Sequence, residues 1–203
     1  MTETLEWVLL GAGLGAMLAN LAGVVSSIRG WTSYYPLGEK DWRFTVFWGL
    51  AHVSNGALLG LAYIQFGELG LPWWAFPVGL VLFVGGFAIV IVATSDLGVS
   101  QTQGITDGLR TDRLYRYSRN PQYVGYIPVT IGYVLFTDAP FVVPICAVWL
   151  VWWFVLPFAE EPWLRDQFGH EYEQYAEQIP RFVGGNTVRR LLTDAGMKGK
   201  NNK

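Results

Sequence analysis

The segment Leu109–Gly125, with the sequence LRTDRLYRYSRNPQYVG, joins an arginine-rich polar stretch directly to the start of an apolar one. Asn120 is a favoured N-cap residue, and Pro121 is of the type favoured at the first position of a helix. The segment therefore predicts a helix that begins at Pro121, with free backbone N–H groups and a positive dipole end facing the polar stretch. Such a helix end suits an anionic group on a ligand.

Four long apolar segments and one shorter segment predict an integral membrane protein. The long ones cover residues 5–28, 45–66, 72–94 and 141–159, and each has the roughly 17–25 residues that a helix needs to cross a bilayer. The shorter one, residues 121–136, would extend roughly 24 Å as a helix, and Pro128 predicts a kink in it. Residues 137–140 then turn the chain back. The expected fold is an all-α bundle of five transmembrane helices whose last two form a helical hairpin.

The charged residues predict the orientation of this bundle. If five segments cross the membrane, all 14 Lys and Arg residues fall on one side, whereas the other side has Glu3, Glu6, Glu68 and Asp138. Because cytosolic loops are enriched in Lys and Arg, we expect the N-terminus outside and the C-terminus in the cytosol. Cys146 is the only cysteine, which excludes an intrachain disulfide and implies no thiolate metal site. The net charge of −2 gives no reason to expect nucleic-acid binding.

The chain after the last apolar segment divides in two. Residues 160–178 predict a cytosolic amphipathic helix with Phe168, Tyr172 and Tyr175 on one packing face, and Pro180 ends it. Residues 184–203 form a polar tail that we expect to be disordered. Residues 1–183 are therefore expected to form a single membrane domain.

Two features of the first two apolar segments have more than one interpretation. Gly11, Gly15 and Ala19 recur at four-residue spacing, which lets helices approach closely, and we favour packing inside the bundle over a dimer contact. His52 and Asn55 are polar within the second segment. Polar residues inside a membrane are candidates for function, but we favour hydrogen bonding between helices.

Two elements on the cytosolic side could carry chemistry: the junction at residues 115–125 and the pair Glu160-Glu161. Carboxylates are costly inside the bilayer, so the pair could simply mark where the last segment leaves the membrane. The loop arginines could likewise be anchors that reach the headgroups. The alternative is a binding site, because an open helix N-terminus, arginines, tyrosines and two carboxylates are expected at similar depth.

The order and spacing of these motifs resemble the isoprenylcysteine carboxyl methyltransferase and phospholipid methyltransferase superfamily. The resemblance covers residues 109–181 and rests on the Leu109–Gly125 motif, Glu160-Glu161-x-x-Leu164, Phe168-Gly169-x-Glu171-Tyr172-x-x-Tyr175 and Ile179-Pro180-Arg181. It implies S-adenosylmethionine as cofactor, bound on the cytosolic side, with residues 95–183 as the catalytic part. It implies these cofactor-binding residues: Gly108, Leu109, Arg110, Tyr115, Arg119, Asn120, Pro121, Gln122, Tyr123 and Glu160, with Gln101 and Gln103 as further candidates. The catalytic candidates are Glu161, the neighbour of Glu160, and Arg181. Of these, Arg181 would steer a substrate carboxylate or phosphate.

Two positions depart from the family pattern. The family usually has His where this chain has Asn120, and eukaryotic isoprenylcysteine enzymes have a substrate-binding Arg where it has Leu156. The resemblance implies a membrane-embedded methyltransferase acting on a lipophilic substrate that enters from the bilayer: an isoprenylcysteine-type carboxylate first, a phospholipid amine second and a small thiol third.

Two other classes stay open. One is an NADPH-dependent membrane reductase of the sterol-reductase type, which shares an Arg-x-Pro-x-Tyr-like turn. Against it, Tyr126 follows Gly125 where those enzymes tend to have Glu. The other class is a membrane protein that keeps the fold without catalysis.

Overall fold

The computed structural model describes residues 2–97 and 108–200, with side chains up to residue 194. In this part of the chain every regular element is helical, which confirms the predicted all-α class. A short 3-10 turn, Arg113–Arg116, precedes the fourth α-helix. The α-helices are α1 Thr2–Ile28, α2 Trp42–Ile64, α3 Ala75–Leu97, α4 Pro121–Thr137, α5 Val142–Gln178 and α6 Gly185–Lys200.

Four of these helices, α1, α2, α3 and α5, are long and apolar enough to cross a membrane. Helix α4 has 17 residues, contains Pro128 and begins at Pro121 with Asn120 at the N-cap, as predicted. Asp138 has a positive φ of 52° and turns the chain from α4 into α5. The crossing of the membrane by α4, which would make five spans, stays a prediction.

The C-terminal part differs from the prediction in two ways. Helix α5 continues from the apolar segment to Gln178, so the predicted amphipathic helix is its extension, with a change of direction at Gly169 (φ 49°). Residues 185–200, expected as a disordered tail, form α6. The helix is held in place because Thr187 Oγ1 donates to the carbonyl oxygen of Tyr117 (2.6 Å) and Asp194 pairs with Arg116 (3.1 Å).

Helices α3 and α4 pack with their backbones in contact. A Cβ atom added to Gly132 would lie 2.5 Å from the carbonyl oxygen of Gly79, and one added to Gly86 would lie 2.6 Å from that of Gly125. Only glycine permits this approach.

Helix α1 packs against α2 and α5 with a different face from the one predicted. Gly11 and Gly15 have no atoms within 4 Å of an added Cβ and point away from the bundle, as does Ala19. The expectation of internal packing for this stripe is therefore wrong. The glycine of α1 that packs against α2 is Gly13, whose added Cβ would lie 2.7 Å from that of Ala57, because the buried face of α1 is offset from the stripe.

Hydrogen bonds join the helices at the end of the bundle that holds the α4–α5 turn. Gln65, which follows α2, donates to Glu6 of α1 (2.8 Å) and accepts from the backbone N–H of Phe141 (3.0 Å). Asp138 accepts from the backbone N–H of Leu71 (2.9 Å). The opposite end, where α2 and α4 begin, is left for the candidate site.

Candidate active site

A polar cavity of about 140 Å³ lies where α4 begins, between the α1–α2 loop, the 3-10 turn and the part of α5 beyond residue 160. It is lined by all but two of the predicted site residues. Those brought together are Gly108, Leu109, Arg110, Tyr115, Arg119, Asn120, Gln122, Tyr123, Glu160 and Glu161. Pro121 and Arg181 are the two that do not line it. Gln101 and Gln103 lie outside the described residues.

Glu160 joins three parts of the chain at the inner wall of this cavity. Its Oε1 atom accepts hydrogen bonds from the hydroxyls of Tyr123, in α4, and Tyr35, in the α1–α2 loop. No hydrogen bond from the described residues is formed with its other oxygen, Oε2, which is therefore available to a ligand. Burial, together with the Glu160 carboxylate, raises the pKa of Tyr35 well above its usual value, so this hydroxyl remains a donor.

Glu161 has a different environment, although it is the next residue. Its side chain is buried and forms ion pairs with Arg181 (2.6 Å), Arg119 (3.2 Å) and Arg165 (3.4 Å). Arg181 contacts both carboxylate oxygens, a bidentate arrangement that is stronger than a single contact. Three guanidinium groups therefore compensate the charge of Glu161.

Arg181 does not line the cavity, and its expected role in steering a substrate stays a prediction. Its guanidinium pairs with Glu161 and lies over the ring of Phe158, 4.1 Å from the ring centre. The Glu161 carboxylate raises the pKa of Arg181 further. This geometry suits a structural clamp between α5 and the segment before α6.

Asn120 also fastens this segment. Its side chain makes no capping hydrogen bond at the start of α4 and instead donates to the carbonyl oxygen of Arg181 (2.9 Å). The backbone N–H of Arg119 donates to the carbonyl oxygen of Pro180 (2.9 Å). Residues 180–181 therefore hold Arg119 and Asn120, which line the cavity, in place.

The cavity wall contains donors and an acceptor that fit S-adenosylmethionine. Nε of Arg119 is buried and has no hydrogen-bond partner among the described residues, although the same guanidinium contacts Glu161 and Tyr172. An unpaired buried N–H is costly, and a ligand carboxylate would satisfy it. Glu160 offers an acceptor for an ammonium or for ribose hydroxyls. These residues therefore fit a ligand that carries both an anionic and a cationic group.

The predicted packing face of the C-terminal part of α5 is confirmed. Tyr172 and Tyr175 are buried in a small apolar cluster together with Leu109 and Phe168. The hydroxyl of Tyr175 donates to the carbonyl oxygen of Tyr115 (2.7 Å), so this end of α5 holds the 3-10 turn in place. Burial, and secondarily the charge of Glu160, raise the pKa of Tyr115.

A second, larger cavity of about 470 Å³ lies deeper in the bundle and is lined mainly by aromatic and aliphatic side chains of α2, α3, α4 and α5. Three residues line both cavities: Tyr35, Gln122 and Tyr123. Leu59 lines the second cavity and is exposed on the outer surface of the bundle, so this cavity reaches the outside of α2. Leu156, at the position of the family's arginine, forms part of its wall.

Among the described residues, His52 and Asn55 of α2 form no hydrogen bond to another helix, so the favoured interhelical bonding is wrong for them. His52 is exposed and contacts the ring of Trp48 (6.2 Å between ring centres), and Asn55 donates to the carbonyl oxygen of Ala51 in its own helix (3.0 Å). One interhelical side-chain bond of α2 is made by Ser54 instead, which accepts from the indole of Trp149 (3.0 Å).

Seven residues lining the polar cavity were not predicted as site residues: Tyr35, Pro36, Leu97, Trp163, Leu164, Tyr172 and Tyr175. Tyr35 is the most informative, because it bonds Glu160 across 125 positions of the chain. The sequence Tyr34-Tyr35-Pro36 in the loop was the available signal.

Comparisons with known proteins agree with the resemblance. The family model for phospholipid methyltransferase matches residues 74–171, which contain α3, α4 and most of α5. The chain is 32% identical over 125 residues to protein-S-isoprenylcysteine O-methyltransferase A of Arabidopsis thaliana, covering 57% of this chain and 62% of that protein. It is 29% identical over 129 residues to protein-S-isoprenylcysteine O-methyltransferase B of the same plant, covering 59% and 64%.

A probable protein-S-isoprenylcysteine O-methyltransferase of Oryza sativa subsp. japonica is also 32% identical over 125 residues, with 57% and 64% covered. The chain thus spans less than two thirds of the length of these curated relatives. No solved structure matches it. The predicted similarity to the isoprenylcysteine carboxyl methyltransferase and phospholipid methyltransferase superfamily is confirmed.

Proposed function

We propose that this chain is a membrane-embedded methyltransferase that uses S-adenosylmethionine and methylates a lipophilic acceptor, in the first place an isoprenylcysteine-type carboxylate. One observation carries the proposal: a polar cavity and an apolar cavity meet at Tyr35, Gln122 and Tyr123. A charged, water-soluble donor and a lipophilic acceptor need such a pair of compartments in contact. The relatives named as isoprenylcysteine O-methyltransferases support the same acceptor class.

The polar cavity would bind the donor. Arg119 would donate from its unpaired Nε to the methionine carboxylate, and Glu160 would accept a hydrogen bond from the ammonium or the ribose. When bound, S-adenosylmethionine supplies an electrophilic methyl group on a sulfonium. The residues of the chain orient the two reactants and exclude water, since alignment and desolvation are the main contributions a protein makes to such a displacement.

The apolar cavity would bind the acceptor's hydrocarbon chain. Its volume of about 470 Å³ lies within the range of roughly 300–1,000 Å³ that is typical of ligand pockets. The acceptor would enter sideways from the bilayer past Leu59 on α2. A carboxylate acceptor needs no general base, so only the boundary residues Tyr35, Gln122 and Tyr123 have to align it with the donor.

A phospholipid amine is the second candidate, and one observation favours it. Among the described residues that line the apolar cavity there is no Lys or Arg to pair with a carboxylate, and Leu156 is part of its wall. The acidic residue at the boundary, Glu160, would instead suit an amine. The family model that matches the chain is described as phospholipid methyltransferase.

A labelled-transfer assay would test the proposal and separate the two acceptors. The purified protein in lipid nanodiscs is incubated with methyl-labelled S-adenosylmethionine and either an N-acetyl farnesylcysteine or a phosphatidylethanolamine. A methyl ester releases its label as volatile methanol in base, whereas an N-methyl product keeps it. We expect base-labile label on the prenylcysteine. Tight binding of NADPH with no binding of the methyl donor would overturn the proposal in favour of a reductase, and binding of neither would favour a non-catalytic protein.

We infer that the site lies on the cytosolic side, with the N-terminus outside. The positively charged loops support this orientation, since Arg113, Arg116 and Arg165 lie beside the polar cavity and Lys and Arg are enriched in cytosolic loops. The polar tail would then also be cytosolic.

A further inference from the structure

Helix α6 has one face fixed to the protein and another face without a partner in the described structure. Thr187 bonds to Tyr117, and Asp194 bonds to Tyr117 and Arg116, in the region of the 3-10 turn. At roughly 100° per residue, Thr187 and Asp194 lie within about 20° of each other around the axis of α6. Val188 and Leu192 point roughly 100° and 140° away from Thr187 around the axis, and Leu191 lies between them and the fixed face, roughly 40° from Thr187. The exposed fractions of Val188, Leu191 and Leu192 are 50%, 49% and 70%. Exposed apolar residues grouped on one face of a helix indicate an interaction surface.

The chain enters α6 from the outer surface of the bundle. Phe182 packs against Phe154 of α5, with 5.3 Å between the ring centres. Phe154 and, one turn later, Phe158 are exposed on the apolar part of α5 that we expect to face lipid. Val183, between this contact and α6, is also exposed. The apolar face of α6 therefore continues a surface that already faces the hydrocarbon.

The charges beside this face are complementary to an anionic membrane surface. Arg189 is exposed next to Val188, whereas the exposed Arg113 and Arg116 of the neighbouring turn are already paired with Asp96 and Asp194. Helices with an apolar face and adjacent Arg or Lys lie in the plane of the membrane interface. Basic residues near an anionic leaflet add to this attraction.

We propose that α6 is an interfacial anchor whose face of Val188, Leu191 and Leu192 lies in the headgroup–acyl boundary of the bilayer, with Arg189 contacting anionic lipid headgroups. The fixed face of α6 holds the turn that carries Tyr115, a residue of the polar cavity. Binding of α6 to the bilayer surface would therefore help to keep this side of the cavity in position. This inference does not depend on the reaction, since it concerns lipid alone.

Spin-label accessibility would test the position of α6 without donor or acceptor. The full chain carrying Leu192→Cys is labelled in nanodiscs that contain phosphatidylglycerol, and Thr193→Cys serves as the matched control because Thr193 is exposed on another side of the helix. The unmodified protein gives the background of the buried Cys146. We expect the label at 192 to be several-fold more accessible to oxygen than to a water-soluble nickel chelate, with the opposite preference at 193.

Two results would overturn the inference. Equal nickel accessibility at 192 and 193 would mean that the face is in water, and protection of 192 from both reagents would mean that protein covers it, for example a second copy. Leu191→Cys repeats the measurement if the first variant does not fold. Arg189→Gln tests the charge: it should move the label at 192 toward the nickel-accessible state in anionic but not in neutral nanodiscs, and an equal change in both would refute the role of the headgroups.

Discussion

Replacing Glu160 by Gln tests the proposed donor site most directly. The Oε1 atom of Glu160 already accepts from Tyr35 and Tyr123, and an amide oxygen can keep both of these bonds. What the substitution removes is the negative charge and the acceptor at Oε2, where an NH2 group would now face a ligand donor. Hydrogen bonds to charged groups contribute about 1.5–3 kcal/mol, so we expect S-adenosylmethionine to bind roughly 10- to 150-fold more weakly.

Titration calorimetry of the methyl donor in detergent or nanodiscs measures this effect. Glu171→Gln is the matched control, because Glu171 is on the same helix but exposed. Its donor affinity should equal that of the native protein. The thermal unfolding midpoint of Glu160→Gln should stay close to native, since both tyrosine bonds can persist. An affinity within twofold of the native value would refute the reasoning and remove Glu160 from the site.

Three further predictions address other parts of the structure. Arg181→Leu should lower the free energy of unfolding, because it removes one partner of the buried Glu161 carboxylate. Breaking a buried pair costs ~3–5 kcal/mol, and we expect the lower end of this range because Arg119 still faces Glu161. A higher KM with native thermal stability would instead favour substrate steering. Gly132→Ala should destabilise the protein by about 1–3 kcal/mol or more in denaturant titrations, because the added Cβ would overlap the backbone of α3. In the control variant Gly85→Ala the added Cβ meets open space, so its stability should be unchanged or slightly higher. Leu59→Trp should raise the KM for the acceptor several-fold without changing donor affinity, because the larger side chain would narrow the proposed entrance. The control Val53→Trp is also exposed on α2 but does not line the cavity, and it should change neither quantity. Equal effects of the two variants would contradict access past Leu59.

The start of α4 and the residues that gather around it could be predicted because their signals are local. Asn120-Pro121 is a helix-start signal that depends on a few neighbouring residues, and the structure begins α4 there. The length and hydropathy of the apolar segments likewise predicted α1, α2, α3 and the first half of α5. The grouping of the Leu109–Gly125 motif with Glu160 followed from the family resemblance, and the cavity contains both.

Contacts between distant parts of the chain could not be predicted in this way. Tyr35 reaches Glu160 only because the α1–α2 loop folds back into the bundle, and no local pattern distinguishes this from a loop at the headgroups. The stripe of Gly11 and Gly15 has the spacing of a packing face, but spacing does not determine which side of α1 meets α2. Helix α6 was expected to be disordered, and it is held in place by bonds to Tyr117 and Arg116, which lie about seventy residues earlier in the chain.

The pair Glu160-Glu161 shows why a motif alone does not assign roles. Adjacent residues on an α-helix point about 100° apart, so the two carboxylates face different surroundings. One side of α5 meets Tyr35 and Tyr123 at the junction of the two cavities, and the other meets Arg119 and Arg181. The second carboxylate ties Arg181 to Arg119, which lines the polar cavity. Glu161 is therefore expected to act on donor binding through the position of Arg119, whereas Glu160 is expected to contact the donor itself.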